Sequence, residues 1–207
     1  MTSTSTEMTY IGCADGSVWS LSSFLNEPAQ RLGSVIGEVT ALQMGTKDSF
    51  VIAAGKTGEV RQMSVLPEGE SSLLLKLPNE ITALSTTASS LIIAAGDALG
   101  NVACCNSKGE SLMPVTRLHE SGVTALSLGG VQNQTMLLSA GGARDLRVRW
   151  TEVKSGVQIN VPVESSGMVK RLVMTHSNDS AVIVNADASV RTWRKTGDGA
   201  LTVRKPQ

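Results

Sequence analysis

Aromatic residues are the scarcest large side chains in this 207-residue chain: three Trp, two Phe and one Tyr, 3% in all. So few rings argue against reading nucleic-acid bases by stacking. They also leave the core to Val, Ile, Leu, Ala and Met. Histidine is rarer still, with two residues, and cysteine numbers three. No Cys/His cluster has metal-ligand spacing, so neither a zinc site nor any other metal or cofactor is expected. Cys104 and Cys105 are adjacent and point to opposite faces of a strand, which suits buried packing rather than a disulfide framework. A reducing intracellular compartment, cytoplasm or nucleus, is the expectation. Formal net charge is zero, which argues against a dedicated nucleic-acid or membrane-surface protein. No apolar run approaches the roughly 18 residues of a membrane-spanning helix. The opening MTSTSTEM has neither the basic nor the apolar region of a secretory leader, and is expected to be a flexible tail over residues 1–8. Glycine-containing turns do not precede helical patterns, so none is a phosphate cradle.

What the chain has is repetition. Val39-Thr40-Ala41-Leu42, Ile81-Thr82-Ala83-Leu84 and Val123-Thr124-Ala125-Leu126 stand at a constant spacing of 42 residues, and Val169-Lys170-Arg171-Leu172 follows 46 later. A second apolar run reads VIAAG from Val51, IIAAG from Ile92, LLSAG from Leu137 and VIVNA from Val182, with a relative, YIGCA, at Tyr10. A turn and a third run follow each: DGSVWSL, TGEVRQM, LGNVACC, RDLRVRW and DASVRTW. The runs have the period-2 pattern of strands. Several short strands per repeat of about 40–45 residues mark a β-propeller blade. One blade cannot bury both faces of its sheet, so blades must stack on one another.

One unit carries polar signposts as well. His119 lies four residues before Val123, Ser139 lies within the second run, Asp145 sits in the turn and Trp150 closes the third run. This unit resembles the WD-repeat family, whose His, Ser/Thr, Asp and Trp form a hydrogen-bonded structural tetrad. The resemblance implies that His119 is fixed by Asp145 and Ser139 and joins them to Trp150. The fifth unit keeps Asp187 and Trp193 but has no His ahead of Met168, and Trp19 of the first falls two residues early. Met63 and Cys105 stand where the second and third units would have a Trp.

The expected fold class is therefore all-β, a propeller of about five four-stranded blades over residues 9–207: about 9–36, 38–77, 80–118, 122–163 and 168–205. Blade one is expected to lack its innermost strand, giving an open or partial ring that a partner chain could complete by adding a strand. Gly129-Gly130 and Gly141-Gly142 are expected as hairpin turns, and His176 as a loop residue.

Loops before each first strand and between second and third strands would present Glu38, Lys56, Glu80, Asp97, Glu120 and Arg144 to partners. Glu38 and Glu80 are equivalent points of adjacent units and supply the case for a rival reading, a hydrolase or lyase with acids at the channel mouth. Charge is uneven: residues 1–120 hold 7 Lys/Arg against 12 Asp/Glu, and residues 121–207 hold 11 against 6. Basic late blades give a third reading, an RNA- or phosphate-binding platform. The leading expectation is a non-catalytic protein-interaction scaffold within a larger intracellular assembly, with other proteins as partners, no membrane insertion and nucleic acid disfavoured.

Overall fold

The computed structural model describes residues 8–22, 27–45, 49–66, 69–87, 89, 91–131, 134–158, 163–164, 167–175, 180–195 and 201–204. Among these, the chain forms nineteen strands and no helix, arranged as five antiparallel sheets in chain order. Sheet one has three strands, β1 (Met8–Gly12), β2 (Ser17–Ser22) and β3 (Gln30–Ser34). Sheet two is β4 (Val39–Met44), β5 (Phe50–Gly55), β6 (Glu59–Ser64) and β7 (Ser71–Lys76). Sheet three is β8 (Ile81–Thr86), β9 (Ile92–Asp97), β10 (Asn101–Asn106) and β11 (Ser111–Arg117). Sheet four is β12 (Val123–Val131), β13 (Gln134–Gly141), β14 (Arg147–Glu152) and β15 (Val163–Glu164). Sheet five is β16 (Val169–Met174), β17 (Ser180–Asn185), β18 (Val190–Lys195) and β19 (Leu201–Arg204).

Each sheet is a meander of hairpins, and alternate residues of one strand serve different neighbours. In β5, Val51 and Ala53 face sheet one, while Ile52 and Ala54 face sheet three. Cys105 packs toward sheet two and Cys104 toward sheet four, as adjacent residues on a strand must. Because both faces are covered, these strands read as continuous apolar runs rather than as alternating ones. Four apolar clusters result, one between each pair of consecutive sheets. Trp150 and Trp193 share the last of them, with Leu138, Leu172 and Ile183.

The first strands of sheets two to five line up side by side. Each breaks register at the same place, between Val39 and Ala41, Ile81 and Ala83, Val123 and Ala125, Val169 and Arg171. A bulge leaves a backbone group unpaired, and in three sheets a threonine answers it. Thr40 Oγ1 donates to Ala54 O at 3.3 Å; Thr82 Oγ1 lies 3.3 Å from Gly96 O but closer, 2.6 Å, to Val123 O of the next sheet; and Thr124 Oγ1 lies 3.3 Å from Gly141 O and 3.4 Å from Ala140 O. In sheet five the bulged residue is Lys170. Hydroxyls also tie sheets together: Leu128 N donates to Ser85 Oγ at 3.0 Å, and Met174 N to Ser127 Oγ at 2.9 Å.

Two expectations need correction. Gly129 and Gly130 are not a turn; β12 continues through them, pairing Gly129 with Met136 and Gly130 with Thr135. Ladder pairing there overrides the turn tendency of a Gly-Gly pair. Met8 belongs to β1, opposite Ser22, rather than to a tail. Residues 1–7 lie outside the described residues, as does His176. Strand β1 packs on β4 as β9 packs on β12, so it holds a second-strand position. Among the described residues no strand lies inside it, and no apolar cluster joins sheet five to sheet one.

Candidate functional site

In an antiparallel meander, the loops before first strands and those between second and third strands fall at the same end of the sheets. That end gathers most of the polar positions singled out above, and in sheets two to four a contact ties its two loops together. In sheet four the tie is His119. Its Nδ1 lies 2.9 Å from Asp145 Oδ2 and its Nε2 lies 2.9 Å from Ser139 Oγ. Glu120 N donates to the same Asp145 oxygen at 3.1 Å, and Arg149 Nη2 approaches it at 3.8 Å. A carboxylate at Nδ1 selects the tautomer with the proton there, leaving Nε2 to accept the Ser139 hydroxyl.

Burial pushes the His119 pKa down, and the hydrogen bond and charge of Asp145 offset only part of that. Burial opposes ionisation of Asp145, but the Glu120 N–H, His119 and Arg149 outweigh it and hold the carboxyl below its usual range. The His119 side chain is 0% exposed, so it touches no substrate. Gly141 completes the fit, because a Cβ there would stand 2.8 Å from His119 Nδ1. The indole of Trp150 is buried in the cluster between sheets four and five and makes no hydrogen bond to this network among the described residues; Leu138, not Ser139, is its cross-strand partner.

Other sheets make the same tie with other chemistry. Lys56 Nζ pairs with Glu38 Oε2 at 3.3 Å, and Thr57 Oγ1 donates to Ile36 O at 3.0 Å. In sheet three the tie is Asp97, which departs from the expectation of a displayed contact residue. It is 0% exposed, accepting from Leu99 N and Asn101 N, both at 2.9 Å, and from Asn101 Nδ2 at 2.8 Å and Asn79 Nδ2 at 3.0 Å. Burial opposes its ionisation, yet these donors hold its carboxyl below the usual range. Asp97 therefore shapes the loop end without presenting a charge to it.

Glu38, Lys56, Glu120 and Arg144 are exposed there, and Glu80 is half-buried. Glu120 and Arg144 line a cavity of about 600 Å³ together with Leu99, Ser121, Met168 and Lys170. A second cavity, about 410 Å³, runs on along the first strands past Gln43, Ser85, Ser127 and Arg171. Thr82, Thr124 and Lys170 border both, so the two adjoin as an open channel along the first strands. Glu38 and Glu80 line neither, and so do not converge there as paired acids. Among the described residues no group of three His, Cys, Asp or Glu is placed to hold a metal ion, and no helix is long and apolar enough to cross a membrane.

The chain superposes on a chain of the mitotic checkpoint complex with a TM-score of 0.83 at 16% identity, over 99% of this chain and 62% of the other. It superposes on the computationally designed Ika8 protein with a TM-score of 0.73 at 25% identity, over 97% of this chain and 59% of that one. The fold is a β-propeller. The five sheets are its blades, and the chain spans about three fifths of the length of each of these two structures. No protein-family model and no curated protein matches it.

Three features of the propeller had not been singled out from the sequence. Glu59, 4% exposed, accepts from Ile36 N and from Arg61 Nε, both at 3.3 Å, and so ties blade two to the segment leaving blade one. In blade one, Trp19 Nε1 donates to Ser17 Oγ at 2.8 Å, which donates to Asp15 at 2.6 Å, a local substitute for the clasp of blade four. The third is the cavity itself. Its one readable signal is Lys170, which breaks the Thr40, Thr82, Thr124 series.

Proposed function

We propose that the chain is a WD-repeat-type propeller, one unit over residues 9–207, that serves as a non-catalytic interaction platform in an intracellular protein assembly. The observation that carries this is the construction of the loop end. Incoming loops and turns are held by contacts such as His119–Asp145 and Asp97–Asn79, while Glu38 and Lys56 remain exposed at that end of the sheets and Glu120 and Arg144 at the cavity. Rigid backbone under variable exposed charge suits protein recognition. The likeness to a chain of a multi-protein complex is in keeping with it. Residues buried as thiols, Cys104 and Cys105, fit a reducing compartment; burial pushes the Cys105 pKa up to about 12, so it stays protonated and unreactive.

The test is quantitative affinity capture from cells with wild type and a Glu38→Lys/Glu120→Lys variant. Both residues are exposed, so the variant is expected to keep the wild-type melting temperature. It is expected to lose at least one protein that wild type retains. An unchanged set of retained proteins, or turnover of a substrate that depends on Glu38 or Glu80, would refute the reading.

A further inference from the structure

The blade four–blade five side of the channel mouth departs from the repeat in two independent ways, and both place a cation on the same cavity. Paired residues flanking the turn between second and third strands are six apart in the other blades, as in Gly12–Val18, Ala54–Val60, Gly96–Val102 and Val184–Val190. In blade four they are Ala140 and Val148, two residues further apart, and the lengthened turn carries Arg144. At the first-strand bulge, where blades two to four have a threonine whose hydroxyl bonds to backbone carbonyls, blade five has Lys170, an exposed ammonium. Arg144 and Lys170 both line the 600 Å³ cavity, and among the described residues neither has an ion-pair partner. Ser121, on the same wall, has a hydroxyl that is buried with no hydrogen-bond partner. Duplication of a solvated turn would have reproduced its sister blades; this corner does not.

We infer that this corner is an anion-recognition subsite, in which Arg144, Lys170 and the Ser121 hydroxyl receive one acidic group, a carboxylate or a phosphoryl, of a protein partner's peptide segment. Guanidinium and ammonium supply charge-assisted donors and the hydroxyl a third. The remaining walls favour a peptide over RNA. Leu99, Ala98, Ala143 and Met168 are apolar, no aromatic ring among the described residues lines the cavity for base stacking, and Glu120 on its rim would repel a continuous polyanion. A peptide with one acidic residue beside an apolar one meets all of these. The inference rests on the platform reading only in taking the occupant to be a protein segment.

Fluorescence anisotropy with three labelled octapeptides tests it: alternating Glu/Leu, the same with one phosphoserine, and the same with Gln for Glu. An oligo-uridine RNA of equal charge is the fourth probe. Lys170→Thr installs the residue the sister blades carry, and Arg144→Gln changes an exposed turn residue, so both variants are expected to fold. Lys108→Gln, at the opposite end of the blades, is the control. Wild type and Lys108→Gln are expected to bind an acidic peptide, with the Gln peptide weaker. Each of Lys170→Thr and Arg144→Gln is expected to bind about tenfold more weakly, the size of losing one charge-assisted contact. A larger loss for the phosphoserine peptide would assign a phosphoryl, and an equal loss a carboxylate. Equal binding by all variants, no acidic-peptide binding by wild type, or preference for RNA would overturn the subsite. Partner capture sensitive to Glu38→Lys would then still stand, so the two failures are distinguishable.

Discussion

Among single residues, His119 is the one whose protonation the fold can least accommodate. Its Nδ1 proton is committed to Asp145 and its ring is buried, so a second proton would place a charge where water cannot solvate it. Its folded pKa lies below the unfolded value of about 6.5. Between those two values the unfolded chain binds more protons, so His119's contribution is complete above about pH 6.5 and is lost as pH falls through that window. Asp145 has a depressed pKa too, and its contribution goes only when pH falls through the carboxylate range. Wild type is therefore expected to lose melting temperature between about pH 7.5 and 5.5, and His119→Gln to start lower but lose less, as read by scanning calorimetry. Parallel curves would contradict this. Asp145→Ala leaves His119 and Glu120 N without their acceptor and is expected to cost about 1–3 kcal/mol. This clasp was legible because His119, Ser139, Asp145 and Trp150 stand at the offsets of the WD-repeat pattern that this unit resembles. Asp97 was not, since the Asn79 that helps bury it comes from a loop whose approach only the packed blade defines.

Among elements, the turn between second and third strands shows how a repeat can be readable while its strain is not. Gly100 has φ 89°, and a Cβ there would lie 2.2 Å from His119 O. Blade five has Ala188 at the matching turn with φ 64°, exposed to solvent. A non-glycine residue in that conformation costs about 1–2 kcal/mol. Ala188→Gly is therefore expected to stabilise by about 0.5–1 kcal/mol after the greater entropy of the unfolded glycine is set against it. Gly100→Ala adds the backbone collision and is expected to cost about 2 kcal/mol or more. Urea denaturation of the two variants reads both, and a loss of stability in Ala188→Gly would contradict the account. The strands themselves were legible because their apolar runs repeat at a fixed spacing. The Gly129-Gly130 pair was misread because a local turn signal was outweighed by pairing with Thr135 and Met136, which only the register reveals.

For the whole molecule, the number of blades was legible because the strand runs recur along the chain, and the four clusters between consecutive sheets show the faces those blades bury on one another. The channel was not legible, because Arg144 and Lys170 stand 26 positions apart and meet only through the stacking of blades four and five. Antiparallel connectivity gives the propeller two ends with different construction. One holds the clasped loops with Lys56 and Lys170, and the other holds the hairpins between third and fourth strands with Lys108 and Lys154. All four lysines are exposed, so they report on the two ends alike. The most direct test of the platform is lysine cross-linking of the chain with the partners it retains in cells, read by mass spectrometry. The account predicts partner cross-links at Lys56 and Lys170 and few at Lys108 and Lys154. Cross-links concentrated at Lys108 and Lys154, with Lys56 and Lys170 left free, would contradict it.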